Sequence, residues 1–142
     1  MIKDLKHEHN NVLQKLEEIQ DKYGYVSSKT MLELSKSMNI AVSDIYGIAT
    51  FYSFLSVKPQ GANIIRVCKS LPCYLKNYEL IIGTIQKELG ISPGETTGDG
   101  KFSLQLTNCI GACDQSPAMM INNDLHVNLT PDKISDILKE YK

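Results

Sequence analysis

Apolar positions recur at two different periods along this chain. Up to Tyr23 they fall at helical spacing, with Val12, Leu16, Ile19 and Tyr23 separated by charged residues. This spacing predicts a first helix, and Gly24 suits its end. Met31, Leu34 and Met38 predict a second helix, capped by Ser27 or Ser28. Residues 39–42 read as a connection. Ser43 and Asp44 then open a third helix, with Ile45, Ile48, Ala49, Tyr52 and Leu55 along one side. Phe51 and Phe54 widen its apolar surface beyond one stripe.

After the turn-like Pro59-Gln60-Gly61 the pattern changes. Residues 64–67 and 102–106 alternate as strands do. Between them, Pro72-Cys73 opens a long helix with Tyr74, Tyr78, Ile81, Ile85 and Leu89 on its buried side, stopped by Gly90. Residues 91–101 read as a loop. Its Gly100-Lys101 lacks the strand, helix and glycine spacing of a phosphate loop. Residues 119–121 and 125–128 form a hairpin around Asn122-Asn123-Asp124. Thr130, Pro131 and Asp132 start a last helix with Ile134, Ile137, Leu138 and Tyr141 on its stripe. The expected architecture is α+β: a helical domain over residues 1–60, then a domain over 61–142 with the order β-α-β-β-β-α.

Composition narrows the function classes. Apolar residues make up 42% of the 142, enough for a packed core, and the net charge is −1. A balance so close to neutral gives no reason to expect nucleic acid or an anionic membrane as partner. The polar start carries no signal peptide and no apolar run spans a bilayer, so the expected compartment is the cytoplasm, without direct membrane insertion. His7 and His9 at the start, and His126 in the hairpin, read as solvated or edge residues rather than ligands.

The chemistry lies in four cysteines. Cys68 and Cys73 have four residues between them, Cys109 and Cys113 have three, and 35 residues separate the pairs. The sequence has no other cysteine, so the simplest reading is one site with four thiolates. Two disulfides, a structural zinc ion and a dithiol oxidoreductase are the rivals. Disulfides suit an oxidising compartment. Zinc sites favour tight knuckles with two to four residues between ligands, a range both gaps meet loosely. Dithiol oxidoreductases want two residues between their cysteines, which neither pair has. A two-iron cluster is wider than one ion and suits longer ligand loops. Each pair follows a strand-like run. Gly111 and Ala112 let the backbone approach inorganic sulfide closely. Four thiolates and an oxidised two-iron core sum formally to about −2, and reduction makes this about −3. Lys69 and Lys76 lie close in sequence, although ordinary solvated lysines are the simpler reading of both.

The cysteine spacing, the stretch Cys109-Ile110-Gly111-Ala112-Cys113 and the following Pro117-Ala118-Met119-Met120-Ile121-Asn122 resemble the thioredoxin-like 2Fe-2S ferredoxin family. Within it, the chain is similar to the small iron–sulfur subunits of NADH dehydrogenases and of NAD(P)-linked hydrogenases and formate dehydrogenases. Tyr46-Gly47 with Thr50-Phe51-Tyr52 resembles a signature of the helical domain of those subunits, which simple ferredoxins of the family lack. The resemblance implies a thioredoxin-like second domain with a small mixed sheet. It also implies one 2Fe-2S cluster per chain on Cys68, Cys73, Cys109 and Cys113, the first two on one iron and the last two on the other.

The implied function is electron transfer within a multi-subunit oxidoreductase. The partner would be a flavin- and NAD(P)-binding iron–sulfur subunit that carries FMN and the nicotinamide site. A hydrogenase or formate dehydrogenase catalytic subunit could complete the complex. No serine–histidine–carboxylate set, dinucleotide fingerprint or metal-binding helix motif suggests catalysis by the chain alone. A free ferredoxin-like shuttle or redox sensor is the alternative, and a zinc-stabilised adaptor a third reading. The motifs do not separate the three kinds of complex.

Overall fold

The computed structural model describes residues 2–141, with side chains from residue 12 onward. His7 and His9 therefore lie outside the described side chains. The chain divides into two compact units, Met1–Pro59 and Gln60–Lys142.

The first unit holds three helices: α1 (Ile2–Tyr23), α2 (Ser28–Met38) and α3 (Val42–Phe51). Val12 and Leu16 of α1 pack with Val26, Met31, Leu34, Ile45, Ala49 and Leu55 in one core, each under a tenth exposed. Ser27 caps α2, its hydroxyl accepting the Thr30 N–H at 3.1 Å. That satisfies one of the orphan donors at a helix start. The segment after α3 is tied back to α1 through one side chain. The Gln20 amide donates to the Phe54 carbonyl and its oxygen accepts the Ser56 N–H.

Three expectations are corrected here. Tyr23 is 59% exposed, not part of the buried stripe, because α1 ends there and its core contacts lie a turn or more earlier. The third helix starts at Val42, with Ala41 in the cap position, so Ser43 and Asp44 lie inside its first turn. It also stops at Phe51, since Tyr52 is extended (φ −87°, ψ 117°). Leu55 is buried all the same, but from an irregular segment, so helical spacing fitted it by coincidence.

The second unit has a four-stranded sheet in the order β2-β1-β3-β4. The strands are β1 (Asn63–Cys68), β2 (Phe102–Thr107), β3 (Met119–Ile121) and β4 (Asp124–His126). β1 runs parallel to β2 and antiparallel to β3, and β3 antiparallel to β4. The hairpin arm begins at Asp124 and ends at His126, earlier than the alternation suggested. Helices α5 (Tyr78–Leu89) and α6 (Pro131–Glu140) cover one sheet face. Ile65, Val67, Leu104, Met119 and Ile121 meet Ile81, Ile85, Ile134 and Leu138 there, all at most 2% exposed. Each such side chain contributes roughly 1.5–3 kcal/mol by leaving water.

The long helix expected after Pro72 is two helices. α4 (Leu71–Leu75) ends at Lys76, and Asn77 takes a left-handed conformation (φ 62°) before α5. The break turns Cys73 inward while leaving Tyr74 53% exposed, against the expectation that Tyr74 is buried. Gly90 closes α5 with φ 68°, as its position predicted. Gly61 is required by space. A Cβ there would sit 2.8 Å from the Phe102 carbonyl carbon. Its N–H donates to the buried Ser103 hydroxyl at 2.7 Å, which fixes the start of β1 against β2. The sheet and its two helices form the mixed α/β arrangement of a thioredoxin-like fold.

Candidate metal centre

Cys68 is the last residue of β1, and Cys73 follows on the inner side of α4. Both are 2% exposed. Cys109 and Cys113 lie in the loop beyond β2, Cys113 opening a single 3-10 turn (Cys113–Gln115), and both are exposed. All four are free thiols. The parallel pairing of β1 with β2 explains their meeting. Cys68 is in register with Thr107, so the two strands deliver their following loops to the same end of the sheet. The buried Cys68 and Cys73 cluster with Ala112 and Ala118, flanked by Tyr78, Ile110 and Val127.

The thiols come as two pairs that sense one another. The Sγ atoms of Cys109 and Cys113 are 3.1 Å apart. Cys68 and Cys73 pack in one cluster and act on one another, and Cys113 acts electrostatically on Cys73. Burial pushes the Cys68 thiol up. The Ser70 N–H, Cys73, the Ser70 hydroxyl and the Ile110 N–H together outweigh burial, so Cys68 ends below the ordinary thiol value. Burial pushes Cys73 up to about 11, against a bond from the Ala118 N–H that favours the thiolate. Cys113 is raised first by its bond with Cys109 and then by desolvation. Thiols that act on one another in this way cannot all ionise cheaply unless positive charge joins them.

The donor set fits a group held by thiolates. One backbone N–H points at sulfur, that of Gly111 at Cys109 (3.4 Å), and the N–H groups of Ser70 and Ile110 favour the ionised form of Cys68 as that of Ala118 does for Cys73. Such donors favour ionised sulfur and are the usual lever on cluster electronics. Among the described residues no group of three or more His, Cys, Asp or Glu side chains is gathered closely enough to hold a metal ion, the four thiols included. The thiols stand as two pairs, and two pairs suit two metal atoms. Cys68, Cys73, Cys109 and Cys113 are thus the side chains available to hold a 2Fe-2S cluster.

Gly111 has φ 87°, and a Cβ there would meet nothing within 4 Å of protein. Torsion, rather than crowding by the chain itself, calls for glycine. Lys69 and Lys76 are both exposed, as solvated lysines are. His126 sits on the edge strand, Nε2 3.3 Å from the Tyr141 hydroxyl. The sequence did not single out the Ser70, Ile110 and Ala118 donors. They act through backbone N–H, which every non-proline residue carries, so residue type gives no signal. A depression of about 640 Å³ between α5 and α6 is lined by Glu79, Lys87 and Ser135 among others and by none of the cysteines. No helix among the described residues is long and apolar enough to cross a membrane.

Comparison with known proteins agrees with this geometry. The family model for thioredoxin-like 2Fe-2S ferredoxins matches residues 1–142. The chain is 40% identical over 129 residues to the NADH-quinone oxidoreductase subunit designated E in Pseudomonas aeruginosa, covering 91% of this chain and 78% of that one. It is 39% identical over 130 residues to the protein of the same designation in Escherichia coli, covering 92% and 78%. Among solved structures, an NAD+-reducing NiFe hydrogenase in the air-oxidised state superposes with a TM-score of 0.78 at 22% identity. That match covers 92% of this chain but 22% of the hydrogenase chain, and it bears on the fold alone. With a family model matching from end to end, the chain belongs to the thioredoxin-like 2Fe-2S ferredoxin family.

Proposed function

We propose that Cys68, Cys73, Cys109 and Cys113 hold one 2Fe-2S cluster, and that the chain is the electron-transfer subunit of an NAD(P)-linked oxidoreductase complex in the cytoplasm. The carrying observation is two thiol pairs at the same end of two parallel strands, in a chain of this family. When bound, the cluster accepts and releases one electron at a time.

The chain's own residues do the rest. The four thiolates fill the donor positions, so no position is left for a substrate. The N–H groups of Ser70 and Ile110 favour the ionised form of Cys68, that of Ala118 works against burial at Cys73, and that of Gly111 donates to Cys109 Sγ. Cys68 and Cys73 are withdrawn from water, whereas Cys109 and Cys113 face outward. Electrons would therefore enter and leave on the Cys109–Cys113 side, where a redox partner can approach.

The family relatives named as subunits of NADH-quinone oxidoreductase support assembly with other subunits of an NADH-linked complex, and the partner in this reading binds FMN and NAD(P). The exposed Tyr46, Phe51 and Phe54 of the first unit give that unit apolar surface beyond its own core. Iron and sulfide analysis of the anaerobically reconstituted chain should give about two of each, the composition of one 2Fe-2S cluster. Native protein carrying zinc, or four irons per chain, sinks the cluster assignment. Affinity purification from its own cells should bring down a flavoprotein, and its absence sinks the subunit reading while sparing the cluster.

A further inference from the structure

Side chains on a strand alternate between sheet faces. On β1, Ile65 and Val67 join the core under α5 and α6, so Ile64, Arg66 and Cys68 belong to the opposite face. The register places Ser103, Gln105 and Thr107 of β2 on that opposite face. Met120 of β3 and Leu125 of β4 share it. Apart from the Cys68 thiol, Arg66 is the one ionisable side chain among these strand residues. It is also the single arginine of the sequence.

Its environment is unusual for a cation. The Arg66 Nε is buried and has no hydrogen-bond partner. Its ladder neighbours, Gln105 and Met120, are neutral. Arg66 takes part in no ion pair among the described residues. A guanidinium stays charged throughout the working pH range. Withdrawing even part of it from water without a compensating anion is unfavourable. The nearest place where negative charge accumulates on the same face is two residues along the same strand, at Cys68. Two residues of strand span about 6.6 Å, inside one Debye length at physiological salt.

We propose that Arg66 sets the reduction potential of the cluster, its half-buried positive charge stabilising the reduced form through Cys68. The inference rests on the cluster assignment above. Reduction adds one electron, supplied in the test by dithionite through mediators, and makes or breaks no bond to the chain. The site becomes more negative by one charge, so a fixed cation nearby favours the reduced state. Lys69, although adjacent to Cys68, is exposed, and water screens its charge.

The test is a potentiometric titration of the full-length, cluster-loaded chain, followed by electron paramagnetic resonance. Arg66→Gln and Arg66→Met should titrate at lower potential. At a fixed poise the ratio of reduced to oxidised cluster should fall about tenfold, or about 59 mV for a one-electron couple. Arg66→Lys should stay near the parent value, and Lys69→Gln should shift much less than Arg66→Gln. Unshifted Gln and Met variants overturn the proposal. So does an Arg66→Lys variant that shifts as far as Met or fails to hold the cluster, since packing rather than charge would then matter. If Arg66→Met does not fold, the Gln and Lys pair decides alone. Weaker capture of a flavoprotein with no change of midpoint would assign Arg66 to a partner's carboxylate and also overturn the proposal. A parent chain with no reducible one-electron signal instead refutes the cluster assignment itself.

Discussion

Gly111 shows how one backbone torsion can serve a metal site. It lies between the two exposed cysteines with φ 87° and donates its N–H to Cys109 Sγ. A side chain at such a torsion costs roughly 1–2 kcal/mol even in open space. Gly111→Ala should therefore keep the fold and its helix content but shorten cluster lifetime under chelator challenge, read by visible absorbance. An unchanged lifetime would mean that the torsion has no bearing on the site. Tyr141 offers a second residue-level test. Its hydroxyl donates to Asp124 Oδ2 at 2.6 Å, and that bond raises Tyr141 to about 12. The unfolded tyrosine titrates near 10. The folded protonated form is thus favoured, and this contribution is fully present below pH ~10 and lost as pH rises through about 12. Tyr141→Phe should flatten the fall in stability across that window, measured by urea unfolding at several alkaline pH values. An identical pH profile in the variant would show that the bond does not form in solution.

At the scale of elements, the break between α4 and α5 decides where Cys73 points. A continuous helix would have kept Tyr74 and Tyr78 on one stripe. The left-handed Asn77 instead lets a five-residue helix rotate independently, turning Cys73 inward and Leu71, Tyr74 and Leu75 outward. Asparagine tolerates that conformation better than other non-glycine residues. Asn77→Gly should leave stability within about 0.5 kcal/mol or raise it, while Asn77→Val should cost roughly 1–2 kcal/mol. Denaturant midpoints would check the order, and a Val variant as stable as Gly would show that the junction is not strained. The Gly61 junction tests the other end of the sheet. Its missing Cβ admits the Phe102 backbone, so Gly61→Ala must push β1 and β2 apart, at roughly 1–3 kcal/mol.

For the whole molecule, each unit has its own apolar core, one around Leu16 and Ile45 and the other around Ile65 and Met119. All four cysteines lie in Gln60–Lys142. A chain of residues 60–142 should therefore still take up a cluster, with absorbance per chain close to that of the full length. It should not be captured by the flavoprotein that the full chain brings down. Equal capture of both would move the partner surface onto the sheet-bearing unit. Loss of the cluster on truncation would show that the second unit depends on the first.

Much was legible without coordinates because it depends on local chemistry. The cysteine spacing, the Ser27 cap, the Gly90 stop and the alternation across residues 64–67 and 102–106 each reflect preferences of a few neighbouring residues. Those preferences hold wherever the segment sits in the molecule. Tertiary structure decided what depends on contacts distant in sequence. Helical spacing carried past Phe51 and across Asn77, because the same apolar periodicity fits a helix and a helix followed by a buried loop. Only the packing of Leu55 and the inward turn of Cys73 separate the two. The difference in burial between the two thiol pairs, the backbone donors around Cys68 and the isolation of Arg66 on one sheet face arise from strand register. Register joins residues some forty positions apart, and no local pattern encodes it.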